Sequence, residues 1–429
     1  NCSMRIEGLG VDIPQNIEFK KISTDTRTIE QGDFYIPLKG ANFDGEKFIQ
    51  QAVDKGAIGY LTTDETNIPN AIGIKVPDTK IAYLELARFR RQKINPKVVL
   101  ITGSSGKTTT KELVYSVISQ QYKTFKTPLN HNNEIGFCQT IFEMPNDTEV
   151  LILEAGMRGL GEIELISKYA LPDITIICNV GTAHIGRLGS RENIAIAKCE
   201  VTKYQNPDGV FIGHNDELIK QHLNFGGKKI FYSIDDTKVL SRKIGYSEFE
   251  YKNHNYKLNI EGDYNIENSL AAINAGLILG ISEEKIAQGL ESYKPIEKRW
   301  ESEKVGRFDI INDSYNANPE SMKAALKTIF ELYPDSVIVL GDMGELGENE
   351  KIYHREVGKF IQENKTLNNI IITVGELARE IDSTNNFQTN IQVGQYIIEN
   401  IKDSKTIFFK ASRSMKFEEI INYIKENIK

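Results

Sequence analysis

Apolar residues along this chain follow two periodicities, and their alternation predicts an α/β protein. Short, nearly continuous apolar runs are typical of parallel strands that are buried on both faces. Segments with apolar residues three or four positions apart are typical of helices. From Pro96 onward the two kinds of segment alternate, which predicts a parallel sheet with helices on both faces. The predicted strands of this sheet are Val98–Thr102, Val150–Leu153, Ile174–Cys178 and Val210–Ile212.

A smaller α/β unit precedes this sheet. Its predicted strands, Phe34–Leu38 and Ile58–Leu61, enclose a predicted helix at Glu46–Lys55. A helix at Lys80–Lys93 is expected to link the two units, because its apolar residues share one face and arginines lie toward its C-terminal end.

A third α/β unit is predicted from Trp300 onward, after a polar, β-rich stretch at Tyr232–Leu258 and a helix at Ser269–Leu279. Its strands and helices again alternate, which indicates a second doubly wound sheet of Rossmann type. No G-x-G-x-x-G follows its first strand, so a dinucleotide site is not expected there. The predicted strands are Phe308–Ile311, Ser336–Leu340, Ile370–Val374 and Thr406–Lys410, with helices such as Ser321–Leu332 and Tyr353–Glu363. We therefore expect three domains, at residues 1–78, 79–299 and 300–429.

Composition narrows the class of protein. A chain of 429 residues is too long for one hydrophobic core. The net charge of −7 and the lack of a long basic block give no indication of a nucleic-acid partner. No apolar run reaches the roughly 20 residues that span a bilayer, and the N-terminus has no signal-peptide pattern. The cysteines lie far apart in the sequence, at Cys2, Cys138, Cys178 and Cys199, which favours reduced thiols in a cytoplasmic protein. We expect a monomer.

The segment after the strand Val98–Thr102 carries a phosphate-binding pattern, Gly103-Ser104-Ser105-Gly106-Lys107-Thr108, and a helix pattern opens at Lys107. Glycines let backbone N–H groups approach a phosphate, and a helix N-terminus attracts anions. The lysine supplies positive charge, and the threonine hydroxyl is a Mg²⁺ ligand. Ile101 stands where a first glycine is common. A Ser/Gly turn before an ordinary helix is the alternative, but the order of all these features favours a nucleotide site.

Two further polar residues follow predicted strands of the same sheet. Glu154 comes after Val150–Leu153, and His184 comes after Ile174–Cys178 and a short glycine turn. The carboxyl ends of parallel strands face one crevice, so we expect both side chains near Lys107 as ligands of a divalent cation. Either residue alone would be interpreted as an ordinary loop or strand-end residue. Lys198 alone would be interpreted as a solvated helix lysine, on a helix predicted at Glu192–Lys203.

These motifs together resemble the Mur ligases, the ATP-dependent amide-forming enzymes of peptidoglycan precursor synthesis, over residues 23–418. The matching segments are Ser23–Arg27, Gly32–Phe34, Asn42–Gly45, the phosphate loop, Asn130–Gly136, Glu154–Met157, Gly161–Ile163, Asn179–His184, Ile194–Glu200, Asn265–Ala272, Asp313–Pro319, Leu340–Gly347 and Lys410–Met415. The segment Asp313–Pro319 is similar to the branch that adds D-alanyl-D-alanine to a UDP-N-acetylmuramoyl tripeptide. The resemblance implies a UDP-binding domain, a central ATPase-type domain and a C-terminal domain that closes over ATP.

The resemblance also implies roles for individual residues. Two Mg²⁺ ions would be held by Thr108, Glu154, His184 and a carbamylated Lys198, and the catalytic set would be Lys107, Lys198, His184 and Glu154. ATP would be bound by Gly103, Ser104, Ser105, Gly106, Lys107, Thr108, Thr109, Asn268, Arg299, Asp313, Tyr315 and Asn316, with Asp313 at the ribose and Tyr315 and Asn316 at the adenine. The UDP-substrate would be bound by Thr26, Arg27, Phe43, Asp44, Asn130, Asn132 and Asn133. Lys410 or Arg413 would meet the dipeptide carboxylate.

The chain departs from the family pattern at several positions, where Glu46 and Tyr264 replace histidines and Asn312 replaces an aspartate. A ligase of the folylpolyglutamate synthase type would share the phosphate loop and metal residues, but it lacks the N-terminal pattern and the Ser-Tyr-Asn-Ala-Asn-Pro loop. A slowly hydrolysing ATP-binding switch protein would need a phosphate loop without Glu154, His184 and Lys198 together. Tests of UDP-sugar binding and of the products formed would separate these classes.

Overall fold

The computed structural model describes residues 4–6, 9, 17–128, 131–296 and 299–429. Three α/β units follow one another along the chain, each with its own mainly parallel sheet. The predicted fold class is therefore confirmed.

The N-terminal unit contains a parallel sheet of four short strands in the order β3-β4-β5-β6 and an antiparallel pair, β1 and β2. Its strands are β1 (Met4–Arg5), β2 (Glu18–Phe19), β3 (Ile22–Ser23), β4 (Phe34–Tyr35), β5 (Gly59–Thr62) and β6 (Ile72–Lys75). The predicted helix is a 3₁₀ turn, Gly45–Phe48, followed by helix α1 (Ile49–Asp54). Tyr35, Tyr60 and Ile49 are buried between the sheet and this helix.

Helix α2 (Thr79–Ile94) leads into the central sheet, as predicted. This sheet has six parallel strands in the order β12-β11-β10-β7-β9-β8. The strands are β7 (Lys97–Thr102), β8 (Thr124–Lys126), β9 (Val150–Glu154), β10 (Ile174–Ile177), β11 (Val210–His214) and β12 (Lys228–Tyr232). Strand β7 lies between β9 and β10, so the carboxyl ends of these three strands meet. The outer strands β8 and β12 were not predicted, because they are only partly buried and carry few consecutive apolar residues.

Helices cover both faces of the central sheet. They are α3 (Lys107–Ile118), α4 (Glu134–Glu143), α5 (Glu162–Ala170), α6 (Ile185–Leu188), α7 (Arg191–Cys199) and α8 (Glu217–His222). The helix predicted at Glu192–Lys203 is shorter than expected, because it ends at Cys199 and continues as a 3₁₀ turn over Glu200–Thr202.

An antiparallel three-stranded sheet and two helices complete the central unit, and they account for the predicted β-rich stretch. The elements are β13 (Lys238–Lys243), β14 (Tyr246–Tyr251), β15 (His254–Leu258), α9 (Asp263–Ile278) and α10 (Glu283–Ser292). Helix α9 packs along α3, which brings its first turns beside the phosphate loop.

The C-terminal unit is a six-stranded sheet in the order β16-β17-β21-β18-β19-β20, parallel except for β16. Its strands are β16 (Glu301–Val305), β17 (Phe308–Asn312), β18 (Val337–Gly341), β19 (Ile370–Val374), β20 (Asn386–Phe387) and β21 (Lys405–Lys410). The helices are α11 (Pro319–Leu332), α12 (Glu350–Asn364), α13 (Asn390–Asn400) and α14 (Glu418–Asn427). The edge strands β16 and β20 were not predicted, since one is mainly polar and the other has two residues.

The contacts between the central and C-terminal units include two near the carboxyl ends of their strands. Glu320, at the start of α11, accepts hydrogen bonds from the backbone N–H (3.1 Å) and hydroxyl (2.8 Å) of Thr182. The backbone N–H of Gly186 in α6 donates to the carbonyl oxygen of Glu345 at 3.0 Å. None of the described helices has the length and apolarity that a membrane crossing requires.

Candidate active site

The phosphate loop joins the end of β7 to the start of α3 and is held by a side chain from the segment that follows the neighbouring strand β10. Gly106 has φ +74°, a left-handed conformation that suits glycine. Beyond the end of β10, the carboxamide oxygen of Asn179 accepts hydrogen bonds from the backbone N–H groups of Ser104 and Ser105, both at 3.0 Å. Its NH₂ group donates to the carbonyl oxygen of Ser105 at 2.7 Å. The sequence motif contains Asn179, but this clamp was not predicted from it.

Glu154, at the end of β9, lies directly beside the first turn of α3. The Thr108 hydroxyl donates to one Glu154 carboxylate oxygen at 2.8 Å, and both residues are buried. The ammonium group of Lys111 lies 3.5 Å from the other oxygen and donates to the Thr127 carbonyl at 2.8 Å. The predicted proximity of Glu154 to the phosphate loop is therefore seen, and Lys111 is an additional member of the site. The sequence signal for Lys111 was its position four residues after Lys107, which places both lysines on one face of α3.

The side chains of His184 and Lys198 lie close enough to Lys107 for its positive charge to lower their pKa values. Burial lowers the pKa of His184, although the adjacent Glu345 carboxylate, which pairs with its Nδ1 atom, opposes this effect. Burial also lowers the pKa of Lys198 well below its ordinary value, and the positive charge of Lys107 acts in the same direction. A buried amine with a lowered pKa is available in its neutral form.

The metal-binding prediction depends on a mixed set of ligands rather than on a cluster of His, Cys, Asp and Glu side chains. Among the described residues, no three His, Cys, Asp or Glu side chains are grouped so that they could hold a metal ion. The Thr108 hydroxyl and the Glu154 carboxylate do offer adjacent hard oxygen atoms, which Mg²⁺ prefers. Glu345 is a carboxylate next to His184, whereas unmodified Lys198 has no oxygen atom to offer a second ion.

A cavity of about 390 Å³ lies between the central and C-terminal units. Asn268 closes one side of the phosphate loop, because a side chain at Gly106 would lie only 3.0 Å from its carboxamide. Two other predicted ATP-binding residues contact the protein itself. Thr108 is hydrogen-bonded to Glu154, and Gly103 packs against Cys178. The predicted ATP-binding residues that line the cavity are Ser104, Ser105, Gly106, Lys107, Thr109, Asn268, Arg299, Asp313, Tyr315 and Asn316.

The C-terminal wall of the cavity is a loop fixed by Lys410. The Lys410 ammonium donates to the Asp313 carboxylate at 2.9 Å and to the Asn316 carbonyl at 3.2 Å. Lys410 is therefore bound to this loop, and its predicted contact with a dipeptide carboxylate stays a prediction. The guanidinium of Arg413, the other residue offered for that carboxylate, lies over the Tyr315 ring, 5.1 Å from its centroid.

The predicted UDP-substrate residues are spread over two units. Asp44 caps the turn Gly45–Phe48, and Arg27 pairs with Asp25. The half-exposed ring of Phe43 stacks on Phe48 with 5.5 Å between centroids. Thr26 lies in the same unit and accepts a hydrogen bond from Lys55 through its carbonyl.

The remaining predicted UDP-substrate residues belong to the asparagine-rich segment before α4. Asn133 caps this helix by accepting from the Gly136 N–H at 2.8 Å, and Asn132 lines the cavity. Asn130 lies outside the described residues.

Three family models match the chain in order. They are the Mur ligase family catalytic domain over residues 18–98, the Mur ligase middle domain over residues 101–276, and the Mur ligase glutamate ligase domain over residues 298–416. A UDP-N-acetylmuramoyl-tripeptide–D-alanyl-D-alanine ligase of Bacillus subtilis is 38% identical over 427 residues, covering 95% of this chain and 93% of that protein.

Solved structures give the same result. MurF from Acinetobacter baumannii superposes with a TM-score of 0.88 at 30% identity, covering 96% of this chain and 94% of the other. MurF ligase from Thermotoga maritima in complex with ADP superposes with a TM-score of 0.86 at 25% identity, covering 95% and 97%. The fold and the site thus define an ATP-dependent ligase. The chain belongs to the Mur ligase family.

Proposed function

We propose that this protein adds D-alanyl-D-alanine to UDP-N-acetylmuramoyl-tripeptide with the consumption of ATP, in peptidoglycan synthesis. The observation that carries this proposal is the cavity whose opposite walls are the phosphate loop and the Asp313–Asn318 loop, in a chain 38% identical to a ligase of that name. Residues 1–78 would bind the UDP moiety, residues 79–299 ATP, and residues 300–429 would close over the nucleotide.

In the first step, an oxygen of the tripeptide carboxylate attacks the γ-phosphorus of ATP and the bond to the bridging β-phosphate oxygen breaks. The products are an acyl phosphate and ADP. Phosphoryl transfer depends mainly on positioning and charge neutralisation. Lys107 and the backbone N–H groups of the loop would hold the phosphates, while Asp313 would hold the ribose and Asn316 the adenine.

In the second step, the dipeptide amine attacks the acyl carbon, the C–O bond breaks and inorganic phosphate leaves. Water would hydrolyse the acyl phosphate, and the contact of Glu320, which lines the cavity, with Thr182 would help to exclude it.

Two Mg²⁺ ions, when bound, would supply neutralisation of the phosphate charge. Thr108 and Glu154 fit the first ion, since their oxygens already lie 2.8 Å apart. Glu154, His184 and Lys198 would serve the second. The neutral Lys198 amine can add CO₂ and lose a proton, which converts it to a carbamate with anionic oxygens. Lys107, Glu154, His184 and Lys198 form the proposed catalytic set.

The test is a product analysis with purified protein, ATP, UDP-N-acetylmuramoyl-tripeptide and D-alanyl-D-alanine. ADP release should require both other substrates, and the UDP-linked pentapeptide should accumulate in equal amount. L-alanyl-L-alanine serves as the matched control acceptor. ADP release with a folate and glutamate, or without any acceptor, would contradict the proposal and favour the folylpolyglutamate synthase or switch-protein alternatives.

A further inference from the structure

Arg299 lines the cavity beside the phosphate loop and carries a buried polar atom with no partner. Its Nε atom makes no hydrogen bond within the part of the chain that the structure describes. Its charge is close enough to Lys107 to contribute to the lowering of the pKa of that lysine, after the larger effect of burial. A guanidinium with an unpartnered donor in a phosphate-binding cavity is suited to bind an anion, if its orientation is supported by a group that leaves its donors available.

The aromatic ring of Tyr315 provides such a support. The Arg299 guanidinium carbon lies 3.8 Å from the centroid of this ring, within the range of a cation–π contact. The Arg413 guanidinium lies 5.1 Å from the same centroid. A ring face attracts a planar guanidinium without using its N–H donors, so the contact with Tyr315 leaves the Nε–H group of Arg299 available to an oxyanion.

Hydrogen bonds hold the backbone on both sides of Tyr315. Lys410 binds Asp313 and the carbonyl of Asn316, and the Asp313 N–H donates to the Phe409 carbonyl at 2.9 Å. Arg299 is therefore linked, through Tyr315 and its loop, to Lys410 at the end of β21.

We infer that Tyr315 is a positioning residue that orients Arg299 toward the nucleotide phosphates through the face of its ring, rather than a contact of the adenine. The inference rests on the proposed function only in assuming that a nucleoside polyphosphate occupies the cavity. It assigns Tyr315 a different role from the one that the family resemblance implied.

The test is a double-mutant cycle on ADP affinity, measured by calorimetry with the full-length protein. The variants are Tyr315→Leu, Arg299→Met, the double variant and Tyr315→Phe. A desolvated cation–π contact predicts a loss of about five- to thirtyfold in ADP affinity for Tyr315→Leu. Tyr315→Phe keeps the ring and should remain within about twofold of the starting protein. In the Arg299→Met background, Tyr315→Leu should cause no further loss.

Additive losses in the double variant would overturn the inference, because they would show that Tyr315 contacts the nucleotide directly. An unchanged affinity in either single leucine or methionine variant would overturn it as well. Thermal denaturation of each variant, together with the ring-retaining phenylalanine variant, separates these results from unfolding. If the unsubstituted protein forms the pentapeptide product while the cycle shows no coupling, only this inference fails. If it does not form that product, the proposed function fails whatever the cycle shows.

Discussion

Helix α6 of the central unit contacts the loop after β18 of the C-terminal unit. We predict that one methyl group added at this contact will push the two units apart. Gly186 packs so closely on this loop that a Cβ atom there would lie 2.6 Å from the backbone nitrogen of Gly347 and 3.1 Å from the carbonyl oxygen of Glu345. Ordinary van der Waals contact begins at 3.4 Å, so Gly186→Ala requires a displacement of about 0.8 Å.

The displacement acts on Glu345, which pairs with His184. It also removes the hydrogen bond from the Gly186 N–H to Glu345, whose net contribution is about 1 kcal/mol. A misplacement near 1 Å in an active site lowers turnover by up to about a hundredfold, and we expect kcat/KM to fall about ten- to hundredfold. Helical stability should not suffer, because alanine is favoured over glycine by about 1 kcal/mol in a helix.

The assay is phosphate release with all three substrates, alongside thermal denaturation. Gly226→Ala is the matched control, since a Cβ at this exposed position meets no atom within 4 Å. We expect Gly186→Ala to lose activity with a melting temperature close to that of the control. Turnover equal to that of the control would refute the argument that this contact sets the geometry of the site.

Three further predictions concern buried charges. Lys198→Ala should abolish ligation, and added acetate should restore part of it by supplying the missing carboxylate oxygens; unchanged turnover would contradict the carbamate proposal. Lys111→Met should lower the unfolding free energy in urea by about 3–5 kcal/mol, because it leaves the buried Glu154 without its cationic partner; a loss below about 1 kcal/mol would count against this role. Burial opposes the charge of His214, but the hydrogen bond and charge of Glu267 outweigh it and raise the pKa of His214. This stabilisation is fully present below the unfolded pKa of about 6.5 and is lost as pH rises through the folded value, so His214→Asn should flatten the decline in unfolding free energy between about pH 6 and pH 8.

The sequence predicted most reliably what depends on local pattern. The central strand β7 is buried along nearly its whole length, so its apolar run and the glycine-bracketed loop after it were visible without the fold. The outer strands β8 and β12 were missed, because half-exposed edge residues give no such run. The position of Glu154 at a strand end also predicted its proximity to the phosphate loop, where it contacts Thr108, because parallel strands direct their carboxyl ends to one edge of the sheet.

Contacts between distant segments could not be predicted in the same way. The pairing of His184 with Glu345 joins residues of two units, and the Lys410 contact with Asp313 spans 97 positions. No periodicity connects such residues. The role of Asn179 was missed for a related reason, since a carboxamide in a loop shows its partners only when the backbone is folded.

The Asn179 clamp also explains how this phosphate loop can do without the first glycine of the common pattern. Ile101 occupies that position inside β7 and is fully buried. The loop is held instead by the side-chain amide of Asn179, which follows the neighbouring strand β10. The orientation of the loop N–H groups is therefore settled during folding. A more flexible loop would lose conformational entropy when it binds a phosphate, whereas this loop has lost that entropy on folding. Nucleotide binding should therefore order the backbone of the loop only slightly.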